Sequence, residues 1–149
     1  MAGIGGSSTL FEDTIKVTSV DKEGKMFQRV SRIEASTEIL EIQIALDIHS
    51  ELYPMEPNQY HSIILASSLT LDGTEDDGCY RIHENQANTL LSKFDYCMYG
   101  KIFKHTLERG LLVVYISFGG LLMTLSGQSS DLVQLEPDSN VYLLLRKLY

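Results

Sequence analysis

The sequence predicts an all-β fold, an antiparallel barrel or sandwich of about eight short strands. Three observations carry that prediction. Apolar and polar residues alternate over 39–48: Leu40, Ile42, Ile44, Leu46 and Ile48 take one side, and Glu41, Gln43, Ala45 and Asp47 the other. Residues 111–125 (LLVVYISFGGLLMTL) form two apolar runs parted by Gly119-Gly120, and a two-residue Gly-Gly loop supplies the positive φ that a tight hairpin turn needs. No long stretch carries the 3.6-residue period of a helix.

The elements follow in order. Residues 1–9 form a flexible lead-in to a single domain over 10–149, and MAGIGGSS opens it without a signal-peptide pattern. Residues 10–20 are a strand with Ile15, Val17 and Val20 apolar, and Asp21-Lys22-Glu23-Gly24 is a turn. Residues 25–35 are a second strand whose alternation slips between Phe27 and Val30, the mark of a bulge. The third strand is 39–48. Two prolines make 53–58 (YPMEPN) a loop, and 60–71 with Ile63, Ile64, Leu65 and Ala66 a buried strand. Polar, acidic 72–92 has no strand or helix period and is expected to be a long mobile loop. Strand character returns over 94–105. A loop over 128–140 precedes a last strand, 141–149, whose apolar residues on both faces predict burial on both sides.

The hairpin about Gly119-Gly120 fixes a register. Phe118 faces Leu121, Ile116 faces Met123 and Val114 faces Leu125, which makes one wholly apolar face. Val113, Tyr115 and Ser117 against Leu122, Thr124 and Ser126 make the other, mixed face. A membrane helix is the competing reading, because 110–130 holds no charge over about the ~20 residues a bilayer span needs. Six interrupting Ser, Thr and Gln residues, four glycines and a β-branched first half count against it.

Acidic residues outnumber basic ones, 20 to 12, for a net charge of −8. Such a chain repels phosphate backbones at long range, so nonspecific nucleic-acid binding is disfavoured. The two cysteines, Cys79 and Cys97, imply no disulfide framework. With no glycosylation sequon and Ala2 where myristoylation needs Gly, a reducing intracellular compartment is expected.

Catalytic and metal chemistry find no footing. Counted from Asp72, the acidic loop puts Thr74 third, Asp77 at the glycine position and His83 twelfth, against the pattern of a calcium loop. His49, His61, His83 and His105 are too far apart for zinc spacing, and no nucleophile elbow, phosphate loop or dinucleotide fingerprint occurs. Tyr96, Tyr99, Phe103, Tyr115 and Phe118 could stack bases, but only Lys93, Lys101, Lys104 and Arg109 lie near enough to line a cationic groove. Core and contact aromatics are the simpler reading.

The wording of the chain resembles one family. LFED at 10–13, RVSRI at 29–33, ILASSL at 64–69, LDGT at 71–74, DYCMYGK at 95–101, YISFGGLLM at 115–123 and VYLLLRKL at 141–148 occur in order over nearly the whole length. They are similar to the small eighth subunit shared by the eukaryotic nuclear RNA polymerases I, II and III. The resemblance implies an OB-fold-like barrel, no catalytic residues, no cofactor, and a structural place on the outside of the polymerase, docked on its largest subunit. It implies the nucleus, including the nucleolus. The expected contact residues are Tyr96, Tyr99, Tyr115, Ser117, Leu122 and Thr124. Thr124 departs from the Arg that many relatives carry after GGLLM, Cys97 replaces a more usual Val, and the Gly-rich 3–8 is longer than in several relatives. The alternative is a stand-alone barrel that binds single-stranded nucleic acid.

Overall fold

The computed structural model describes residues 9–25, 27–68 and 94–149. Eight strands carry the fold: β1 (Thr9–Val20), β2 (Val30–Thr37), β3 (Gln43–His49), β4 (Tyr60–Ala66), β5 (Tyr96–Glu108), β6 (Leu111–Phe118), β7 (Leu121–Gly127) and β8 (Asn140–Lys147). All pair antiparallel, and the order β1-β2-β3-β7-β6-β5-β8-β4 closes on itself as a barrel. This is the barrel branch of the expectation and is consistent with an OB-fold-like architecture. Among the described residues no helix is long and apolar enough to cross a membrane.

The β6–β7 hairpin has the register read from sequence. Phe118 pairs with Leu121, Ile116 with Met123 and Val114 with Leu125. Gly119 and Gly120 both have positive φ, 64° and 103°, as a type I′ turn demands. Val114, Ile116, Phe118, Met123 and Leu125 are buried in the barrel, with Leu121 packed partly buried against them.

Several boundaries differ from the sequence reading: β4, expected over 60–71, ends at Ala66, with Ser67 and Ser68 outside it, and the starts of β2 and β3 and the end of β5 also move. β2 starts at Val30, not at residue 25: the chain makes a tight turn there, with Phe27 bridged to Val30, so the broken alternation marks a turn rather than a bulge. The bulges lie instead in β1, between Val17 and Ser19, and in β5, between Ile102 and Lys104. β3 starts at Gln43, not at residue 39, because Glu41 sits at φ 58°, a left-handed conformation that no strand continues through. β5 runs on to Glu108, past the residue 105 expected.

Asp13 organises the bend before β3. Its buried carboxylate accepts from the N–H groups of Thr14, Ile39 and Leu40. Strand β8 is buried on both faces, as predicted. Val141, Leu143 and Leu145 point into the barrel, and Tyr142 and Leu144 join a second apolar cluster with Ile64, Ala66 and Phe94. Cys97 packs partly buried against that cluster, close to its reading as a small buried hydrophobe. The acidic loop 72–92, with Cys79 and His83, lies outside the described residues, as does most of the lead-in.

Candidate interaction face

The barrel interior is packed with side chains, so the surfaces available for chemistry are outside. The mixed face foreseen for the hairpin is the outer surface of β3, β7, β6 and β5. Strand pairing sets its residues in rows. Ala45, Thr124, Tyr115 and Lys104 form one row, because each pairs with the next across a strand boundary. Leu122, Ser117 and Lys101 form the next. Neighbouring strands stand about 4.8 Å apart, so the four strands span roughly 15 Å.

Tyr115 is the centre of this face. Its hydroxyl donates to Glu108 Oε2 at 3.0 Å, and Lys104 Nζ sits 5.2 Å from its ring centre. The Phe103 ring lies 6.1 Å away. Glu108 also accepts from Thr106 Oγ1 at 2.9 Å; first this bond and then the Tyr115 bond hold its carboxyl below the usual pKa. The hydroxyl of Ser117 accepts from the Gly120 N–H, and Leu122 is 42% exposed. Thr124 is half-buried, and the cation of its row is Lys104.

Five of the six expected contact residues therefore fall on one outer region: Tyr115, Ser117, Leu122 and Thr124 in its centre, and Tyr99 toward β8, its ring 4.7 Å from that of Tyr142. Tyr96 does not join them. It is 8% exposed, stacks on Tyr53 at 5.2 Å inside the barrel, and accepts the His49 N–H on its hydroxyl. Alternation along β5 separates the two tyrosines: Cys97 and Tyr99 share the outward side, Tyr96 and Met98 the inward one.

Sequence reasoning missed Asp47 and Arg32. β3 and β7 stop pairing at Leu46 and Met123, and there the Asp47 side chain takes over: Oδ2 accepts the Leu122 N–H at 3.0 Å. Oδ1 accepts from Arg32 Nε, and this bond is the main reason the guanidinium holds its proton more tightly than usual. A polar residue on the outward side of β3 was visible in the alternation; its partner 75 positions away was not. Beside the pair, Asp21, Lys22, Phe27 and Glu34 line a hollow of about 370 Å³. Its charges are largely matched, with Lys22 on Glu34 at 3.2 Å and Lys25 on Asp21 at 3.9 Å. Among the described residues no three His, Cys, Asp or Glu side chains are grouped to hold a metal.

At the same end of the barrel, where β3 ends at His49 and β4 begins at Tyr60, a buried polar cluster supports Tyr96. His61 is 0% exposed; its Nδ1 accepts from the Tyr53 hydroxyl at 2.7 Å, and its Nε2–H donates to Gln59 Oε1 at 3.2 Å. Burial, helped by nearby Lys147, lowers the His61 pKa to about 4, so the ring is neutral at pH 7. Burial also raises Tyr53 and Tyr96 above the usual tyrosine value.

Fold and face together define a closed OB-fold-like barrel with a packed core and, on β3, β7, β6 and β5, an aromatic and cationic outer surface. The profile of the RNA polymerase Rpb8 family matches residues 12–147. The chain belongs to that family. Among its relatives, the Dictyostelium discoideum protein named "DNA-directed RNA polymerases I, II, and III subunit rpabc3" is 42% identical, over 95% of this chain and 99% of its own. The Saccharomyces cerevisiae subunit RPABC3 is 37% identical over 95% and 99%. An Arabidopsis thaliana protein named for RNA polymerases II, IV and V, subunit 8B, is 37% identical over 93% and 96%. Among solved structures, the cytoplasmic molybdate-binding protein ModG aligns over 98% of this chain and 94% of its own, but at 7% identity and a TM-score of 0.32 that likeness carries no argument.

Proposed function

We propose that the chain is a shared, non-catalytic structural subunit of the nuclear RNA polymerases I, II and III. In this reading it docks on the largest subunit through the outer face of β3, β7, β6 and β5, in the nucleus and nucleolus. The observation that carries it is similarity along the full length, 37–42% identity over 93–95% of the chain, to proteins named as subunits of several polymerases. The physics of the face supports it: a half-buried tyrosine flanked by a cation and by exposed apolar residues such as Leu122 is the composition of an interaction surface. Direct contact with nucleic acid forms no part of the proposal, given the net charge of −8.

The test is recovery. The tagged full-length chain, purified from cells, brings down the largest subunits of at least two polymerases; recovery of none overturns the proposal. Tyr115→Asp puts a charge at the centre of the face, and recovery falls by about tenfold while the domain stays folded. Undiminished recovery moves the docking site elsewhere. Micromolar or tighter, steeply salt-dependent binding of a single-stranded oligonucleotide by the isolated chain would favour the nucleic-acid-binding alternative.

A further inference from the structure

Strand β5 is longer than its neighbours cover. From Tyr96 to Lys101 it pairs with β8, and from Lys101 to Glu108 with β6. At Ile102 the edge opposite β6 is still occupied, since Ile102 donates to the Ser139 carbonyl and accepts from Asp138 N–H. Beyond Ile102 that edge meets no strand among the described residues.

The turn fixes which groups face the open edge. Glu108 pairs with Leu111 around the two residues Arg109 and Gly110, both at positive φ. In such a hairpin the closing pair is hydrogen-bonded, and so is every second pair behind it. Glu108, Thr106 and Lys104 thus turn their main-chain groups to β6. His105 and Leu107 turn theirs outward, and the Leu107 side chain is 76% exposed. An unpaired, exposed main-chain edge is a template for an added strand.

Charge selects the occupant. In a chain of net charge −8, this stretch carries Lys101, Lys104 and Arg109. The ion pairs among the described residues are all elsewhere: Lys22 with Glu34, Lys25 with Asp21, Arg29 with Glu51 and Arg32 with Asp47. Of the carboxylates near this edge, Glu108 is engaged by Thr106 and Tyr115, and Asp138 lies at Ile102, where the edge is already filled. A second copy of the chain would bring the same cations to the same edge, and like charges across strands repel.

We propose that the open edge of β5 at His105 and Leu107 receives, as an added strand, an extended segment of the polymerase's largest subunit. That segment carries acidic residues toward Lys101, Lys104 and Arg109 and an apolar residue against Leu107. The inference rests on the polymerase-subunit reading and deepens it: main-chain pairing gives the affinity, and the cations select the sequence.

The experiment uses the tagged full-length chain in cells, with a photo-cross-linking residue at position 107. The expected product is a single acidic peptide of the largest subunit joined to position 107. A cross-link to a second copy, or none although the polymerase is recovered, overturns the inference. Leu107→Pro removes an outward N–H and leaves the β6 ladder whole; recovery of the largest subunit drops by about tenfold. Leu107→Ala keeps the N–H, and recovery stays within about twofold. Should Leu107→Pro melt far below wild type, Lys104→Glu and the cross-link decide, since charge reversal at an exposed strand leaves the fold intact. Wild-type recovery of no polymerase sinks the function itself. Recovery undiminished in folded Leu107→Pro and in Lys104→Glu sinks only the added strand.

Discussion

His61 shows how one residue ties the interior to pH. Folded, it resists protonation down to about 4; unfolded, it titrates near the ordinary 6.5. Between those values the unfolded chain binds the extra proton, so stability is full above about pH 6.5 and is lost as pH falls toward 4. Urea melts at pH 7 and pH 5 should differ by about 2 kcal/mol on this account. His61→Gln should be less stable at pH 7, because the Tyr53 hydroxyl loses its acceptor geometry, and should lose most of that pH slope. An unchanged slope in the variant would remove His61 as the cause.

Gly100 makes a second residue-scale prediction. A Cβ there would stand 2.3 Å from the Ser117 carbonyl oxygen and 2.6 Å from Phe118 Cδ1. Backbone cannot move aside cheaply, so Gly100→Ala should cost about 1–3 kcal/mol by chemical denaturation. Gly110 has nothing within 4 Å of its added Cβ, but its φ of 83° strains any substitution, so it is no neutral control. Neither glycine's constraint could be read from sequence, because the atoms that impose it on Gly100 belong to β6.

At the scale of elements, β6 and β7 were fully legible and β2 and β3 only in part. The hairpin's register follows from the Gly-Gly turn and the alternation beside it, both local. The starts of β2 and β3 depend on where the chain turns, and Glu41 at φ 58° is held by contacts around Asp13 from β1. Asp47 links elements in the same way. Asp47→Ala frees the Leu122 N–H and leaves Arg32 without its main partner, at a cost of about 1–2 kcal/mol. Amide exchange at Leu122 should then speed up while that at Ile116, deep in the hairpin, holds its rate. Equal acceleration at both sites would mean that Asp47 supports the whole barrel instead.

For the whole molecule, closure is the controlling fact. β8 lies between β4 and β5, and five consecutive residues, Val141 to Leu145, are buried. Their burial contributes about 10 kcal/mol at the usual value per apolar side chain, comparable with the entire stability of a domain. A chain ending at Ser139 should therefore not fold, giving a near-ultraviolet circular dichroism signal without tertiary structure. A cooperative melt of that truncated chain would mean the remaining seven strands close without β8.

The sequence by itself determined the fold class, the hairpin register, the double burial of the last strand and the family. These rest on local periodicity and on wording that persists in order along the chain. Periodicity alone left barrel and sandwich open; the tertiary structure decided for the closed barrel that the family resemblance implied. It also put Tyr115, Thr124 and Lys104 in one row, turned Tyr96 inward and, among the described residues, left an edge of β5 without a partner strand. Each of these depends on pairing between strands far apart in sequence: alternation says that a residue has a side, and only the neighbouring strand says what that side meets.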